Sequence, residues 1–216
     1  MFYWDENNCG FNLESQLQTM SNVKKIFVAT AFLSSDGVSI LKKIVDRYLI
    51  KRENVTICLS TEFSDDHPSN ILVELNKIAK VRIAKDGRLF HPKFYYVQGY
   101  PNNLLIFGSS NLTGGGFGKN IEFDSIYTPS ENEIVQIEKF ISYCHSQTDE
   151  LTTSRIEFYK SQEDKLNELK KVKSQIATQL RSFDKKDDPF TEYTYNLSDF
   201  YFKFTDYEAC LSRKSN

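Results

Sequence analysis

The stretch from residue 26 to residue 80 most constrains the fold. IFVATAFLS (26–34) is a β-branched and aromatic run, and SSDG follows it as a turn or helix cap. VSILKKIVDRYLIKR then puts Ile40, Leu41, Ile44, Val45 and Leu49 on one helical face. VTICLSTEF (55–63) is a second buried-strand pattern, and SDDHPSN offers caps before a second amphipathic helix, NILVELNKIAK. Strand, helix, strand, helix predicts a layered α/β fold with a largely parallel sheet.

From Val81 the rhythm changes. VRIA, a turn at KDG, LFHPKFYYV, a turn at GYPNN, LLIFGSS, a glycine-rich loop and IEFDSIY predict a succession of strands. The helix ENEIVQIEKFISYCHS closes this part near residue 147, and QTDELTTS breaks the pattern at 148–154. The expected division is a domain over 1–150 and a C-terminal extension over 151–216. In the extension, Leu166, Leu169, Val172, Ile176 and Leu180 form a narrow apolar stripe on a lysine-rich helix, which must lean on the core or on a second copy of itself. KKDDP ends that helix. The tail TEYTYNLSDFYFKFTDY alternates aromatic with polar and acidic residues, as an edge strand or hairpin docking by its aromatic face would.

Charge and cysteine usage narrow the function classes. The chain of 216 residues has a net charge of −2, which predicts no overall attraction to nucleic acid or to anionic membranes. Residues 24–52 nevertheless hold seven Lys or Arg against two Asp, and a local basic surface suffices for phosphate contacts. Four cysteines, Cys9, Cys58, Cys144 and Cys210, lack any zinc-like spacing. No signal peptide or run of 18 apolar residues is visible, so a cytoplasmic protein without membrane contact is expected.

Three pieces of sequence carry chemistry. His91 and Lys93 lie two apart in LFHPKFYYV and so share one face of a strand, while Pro92 between them removes a ladder donor and favours an edge or end position. LLIFGSSNLTGGGF runs an apolar strand into Gly108-Ser109-Ser110-Asn111 and then Thr113 and three glycines, whose amides could cradle an anion. Asn120 and Glu122 open the segment NIEFDSIY.

This ordered pattern resembles the phospholipase D superfamily, whose half-site carries an HxK motif, then GSxN, then a downstream acidic residue. The resemblance covers roughly residues 20–147. One departure stands out: the full motif is HxKxxxxD, and Gln98 occupies the place of its aspartate. That substitution points away from true phospholipases and towards the single-HxK nuclease branch, similar to metal-independent nucleases of the restriction-endonuclease type. The expected fold is therefore a phospholipase D-like layered α/β fold with a mixed, largely parallel sheet, plus a C-terminal helix and an aromatic tail.

The resemblance implies a phosphohistidine intermediate. His91 would be the nucleophile. Lys93 and Asn111, with Ser109 as an extra donor, would bind the substrate phosphate, and Glu122 would accept the proton on the other imidazole nitrogen. A second imidazole is required. His67 sits in a capping turn and His145 ends a helix, so both are expected to be structural, and the second histidine is expected from the partner chain of a homodimer. The implied activity is a metal-independent DNA phosphodiesterase or endonuclease without a cofactor, as in a restriction or defence system. A phospholipid or small phosphodiester hydrolase and a catalytically silent nucleic-acid-binding module are the alternatives.

Overall fold

The computed structural model describes residues 2–3, 13–61, 63, 67–85, 89–118 and 120–183. The aromatic tail, the KKDDP segment, Cys9 and Cys210 lie outside these residues. Contacts divide the chain into two compact units, residues 1–167 and 168–216.

The first unit is built on an eight-stranded sheet. Its strands are β1 (Phe2–Tyr3), β2 (Asn22–Thr30), β3 (Val55–Leu59), β4 (Lys80–Ala84), β5 (Lys93–Tyr100), β6 (Leu104–Gly108), β7 (Asp124–Tyr127) and β8 (Thr148–Glu150). Their order across the sheet is β1-β7-β6-β5-β2-β3-β4-β8. The helices of this unit are α1 (Leu13–Leu17), α2 (Ser35–Arg47), α3 (Pro68–Ile78), α4 (Glu131–Ser146) and the start of α5 (Thr153–Phe183).

The layered α/β architecture and the mixed sheet agree with the expectation, but the parallel share is smaller. Parallel pairing joins β2 to β3 and β3 to β4, where helices α2 and α3 make the crossovers. The other pairings are antiparallel. Three residues connect β5 to β6, too few for anything but a hairpin, and β5 itself turns back along β2.

Strand alternation sorts the core into two layers. Ile26 and Val28 of β2, Ile57 and Leu59 of β3 and Tyr95 and Val97 of β5 face one way, against Leu41 and Ile44 of α2 and Leu72 and Leu75 of α3. Phe27, Ala29, Cys58, Tyr96 and Leu105 face the other way, against Ile137 and Cys144 of α4. Each fully buried aliphatic side chain contributes about 1.5–3 kcal/mol relative to exposure.

Helix α2 is capped by Ser34, whose Oγ accepts from Gly37 N–H at 3.3 Å. It ends at Arg47, two residues before Leu49, which adopts φ 52° and is 87% exposed. Leu49 was expected on the core face; the helix stops short, and Ile50 turns inward in its place.

The expected break at 148–154 contains β8, the edge strand beside β4. The first turns of α5 pack on the core: Tyr159 is 6% exposed, its hydroxyl donates to Thr61 O at 3.3 Å, and Ile156 packs nearby. Glu163 accepts from Ser69 N–H at 3.0 Å and lies 3.3 Å from His67 Nδ1, satisfying the start of α3. In the second unit, residues 168–183 continue as helix, with Leu169, Val172 and Ile176 each at least 50% exposed.

Candidate active site

Register brings the three motif segments to one edge of the sheet. Lys93, the first residue of β5, pairs with Thr30, the last residue of β2. Phe107 near the end of β6 pairs with Phe94, and Gly108 pairs with Asp124 at the start of β7. Each reversal of direction therefore returns a motif to the carboxyl end of β2, the edge where open α/β sheets place ligand sites.

His91 lies outside the strand, two residues before β5 begins, and Pro92 sits at that boundary. This is where a residue lacking a ladder donor is tolerated. The two side chains still meet: Lys93 Nζ lies 2.7 Å from His91 Nδ1 and 3.2 Å from Nε2. The His91 ring also packs edge-on against Phe32, with centroids 6.1 Å apart at 89°. His91 is exposed and Lys93 half-buried. Burial lowers the Lys93 pKa from the ordinary lysine value, and the nearby Glu122 charge opposes that shift.

Asn111 is held from both sides by fully buried neighbours. Ser110 donates its N–H to Asp124 Oδ1 at 3.1 Å and its hydroxyl to Oδ2, and its carbonyl accepts from the Tyr95 hydroxyl at 2.8 Å. Leu112 donates to Thr30 Oγ1 at 3.1 Å and accepts from Ser34 N–H at 3.2 Å. The side-chain oxygen of Asn111 accepts from Phe32 N–H at 3.1 Å.

Two glycines permit this packing. A Cβ on Gly108 would lie 2.4 Å from both Asp124 Oδ1 and Phe123 O, and one on Gly116 would lie 2.3 Å from Asn111 O. The glycine-loop amides, expected as an anion cradle, include two committed to hydroxyls: Gly114 N–H donates to Ser34 Oγ at 3.1 Å and Gly116 N–H to Thr113 Oγ1 at 2.9 Å. They hold the loop to helix α2 and to itself.

Glu122 is also engaged. The Ser109 hydroxyl donates to Oε2, and Asn120 Nδ2 donates to Oε1 at 3.1 Å. Asn120 and Glu122 precede β7 rather than opening it. The described contacts of the His91 ring are with Lys93 and Phe32; Glu122 contacts Ser109 and Asn120 and acts on Lys93 through its charge. A phosphate at Ser109 would have to replace its hydrogen bond to Glu122.

His67 is the N-cap residue of α3, with Glu163 as its partner. His145 sits in the last turn of α4 on the other face of the sheet, its ring 6.0 Å from that of Phe27, and burial lowers its pKa. Gln98 pairs with Lys25 far along β5 and lines a cavity of about 260 Å³ under α4, away from the His91 edge. Among the described residues, no three His, Cys, Asp or Glu side chains gather as a potential metal site.

Thr30, Phe32, Tyr95 and Asp124 are the supporting residues that the motif reading missed. Tyr95 and Asp124 left a trace in the sequence, lying two residues after Lys93 and Glu122 respectively and so on the same face of an extended segment.

No family model and no curated protein matches the chain. Solved structures do. A phospholipase D family member, Nuc from Salmonella typhimurium, superposes with a TM-score of 0.52 at 13% identity, over 71% of this chain and 97% of its own. The chain has a phospholipase D-like fold. NucT from Helicobacter pylori matches with a TM-score of 0.52 at 18% identity, over 70% of this chain and 98% of its own. Phosphatidylserine synthase from Haemophilus influenzae gives 0.54 at 13% identity, over 82% of this chain and 46% of its own. In this phospholipase D-like frame, the exposed His91–Lys93 pair and the buried Ser110–Asp124 pair divide the edge into an open surface and its internal support. Among the described residues, no helix is long and apolar enough to cross a membrane.

Proposed function

We propose that the chain is a phosphodiesterase of the single-HxK nuclease type, cleaving DNA through a phosphohistidine at His91. The observation that carries this reading is the contact of Lys93 with His91 at the sheet edge to which Asn111 and Glu122 are also delivered.

The imidazole attacks phosphorus, forming an N–P bond as the P–O bond to the leaving strand breaks. The leaving oxygen takes a proton from a second imidazole. Water then attacks the phosphohistidine, gives its proton to that second imidazole, and releases the phosphorylated end and free His91. Lys93 and Asn111 stabilise the charge that builds on the non-bridging oxygens. Lys93 must leave the ring for this to happen, and an incoming phosphate supplies the stronger partner for its ammonium. Glu122, oriented by Ser109 and Asn120, favours the charged form of Lys93.

The second imidazole comes from His91 of another copy, so the active species is a two-fold homodimer with one composite site. His67 and His145 have the local partners described above, which supports this assignment. A setting in a restriction or defence system and a cytoplasmic location belong to the same reading, with residues 151–216 as an accessory extension.

The decisive experiment is cleavage of single- and double-stranded DNA in excess EDTA by wild type and His91→Ala. Cleavage that survives the chelator and disappears in the variant is expected. Metal-dependent cleavage indifferent to the substitution would overturn the reading.

A further inference from the structure

Thr30 is fully buried at the end of β2 and carries a hydroxyl there. Its Oγ1 accepts from Leu112 N–H at 3.1 Å and lies 3.0 Å from Phe32 O and 3.4 Å from Asn111 Oδ1. A hydroxyl has one hydrogen to donate, and Phe32 O is the nearer of these two oxygens. The same group therefore ties the residue after Asn111 to the residue whose amide holds Asn111.

That amide decides how Asn111 points. Phe32 N–H lies 3.1 Å from Oδ1, and an N–H donor can meet only the oxygen end of a carboxamide. The oxygen is thereby fixed towards β2, and the NH2 group is the end left for an anion. Ser110 on the other side is pinned by Asp124 and Tyr95, so the remaining freedom of Asn111 is governed from the Thr30 side.

We propose that Thr30 is a positioning residue for Asn111, holding its carboxamide oxygen inward through Phe32 and Leu112 so that the NH2 faces a bound phosphodiester. The catalytic consequence rests on the reading of Asn111 as a phosphate ligand; the positioning itself does not. Valine matches threonine in shape but offers Leu112 N–H no acceptor, so the 111–112 backbone relaxes and Phe32 and Asn111 lose register.

The test reads position and activity separately. Side-chain carboxamide resonances of the 15N-labelled protein are compared in wild type, Thr30→Val and Thr30→Ser, the Asn111 pair being identified by its loss in Asn111→Asp. Thr30→Val is expected to shift or double that pair, and Thr30→Ser to keep it. With bis(p-nitrophenyl) phosphate as substrate, Thr30→Val is expected to lower kcat about tenfold with KM within about twofold, because a misplaced donor is felt in the transition state. Thr30→Ser restores kcat.

A folded Thr30→Val protein whose Asn111 pair stays at the wild-type position overturns the proposal, as does a Thr30→Ser protein as impaired as Thr30→Val. If Thr30→Val does not fold, Thr30→Ala provides the same comparison. If no form of the protein cleaves either this diester or DNA while the Asn111 pair still depends on the hydroxyl, the hydrolase reading fails and the positioning stands.

Discussion

Lys93 Nζ stands 2.7 Å from His91 Nδ1, so in the free chain the ammonium proposed to grip phosphate donates to the imidazole proposed to attack it. Removing that donor separates two effects. Lys93→Ala should lower phosphodiester cleavage by about a hundredfold or more, through loss of transition-state charge stabilisation. The same variant should raise the rate at which diethyl pyrocarbonate modifies His91, read by mass spectrometry, because a lone pair on the ring is released. Slower modification in the variant would mean that Lys93 does not mask the ring.

The pH profile should follow Lys93. Burial depresses its pKa, so the charge needed for phosphate is lost at a lower pH than for an ordinary lysine. Glu122 acts in the opposite direction, raising that pKa. Glu122→Gln removes the opposing charge, so the alkaline limb of kcat/KM should move to lower pH. A limb that moves up, or stays in place, would detach Glu122 from Lys93.

Asp124 should be a stability residue. It is 1% exposed and accepts both the N–H and the hydroxyl of Ser110. Asp124→Ala leaves buried donors unpaired and should cost about 2–3 kcal/mol, measured by urea unfolding. Glu122→Ala, at a partly exposed site, should cost under about 1 kcal/mol. Equal costs would contradict this division of the edge.

Leu49 offers an independent check on the end of α2. With φ at 52° and the side chain 87% exposed, the residue has backbone strain with little burial to offset it. Leu49→Gly should raise stability by about 0.5–1 kcal/mol, net of the entropy that glycine loses on folding. A lowered unfolding midpoint would show that the leucine makes a contact worth more than its strain.

The composite site predicts an active species with twice the mass of one chain. Light scattering coupled to an activity assay checks this: an active monomer would remove the need for a second copy's His91.

Local patterns made much of this chain legible. The helix pattern 131–146 is α4 to the residue, and the structure adds a capping box of Ser130 and Glu133 at its start. β-Branched and aromatic runs marked β2 and β3, because side-chain shape and period act over a few residues. The motif order H-x-K, GSxN and a downstream acid, with the resemblance it carries, marks His91, Lys93, Ser109, Asn111 and Glu122 in the sequence. Strand direction was less legible, since the preference of β5 for an antiparallel place beside β2 depends on how two distant segments pack.

By itself, then, the sequence determined which residue types stand at the edge and in what order along the chain. Tertiary structure decided what each one touches. The hydrogen bond from Phe32 to Asn111 spans 79 positions, and that from Leu112 to Thr30 spans 82. Glu122 meets the Ser109 hydroxyl, 13 positions away, and Asp124 is buried because Gly108 lets β7 approach without a side chain between them. Local periodicity carries no information about such long-range approaches, because their geometry exists only once the sheet has closed around them.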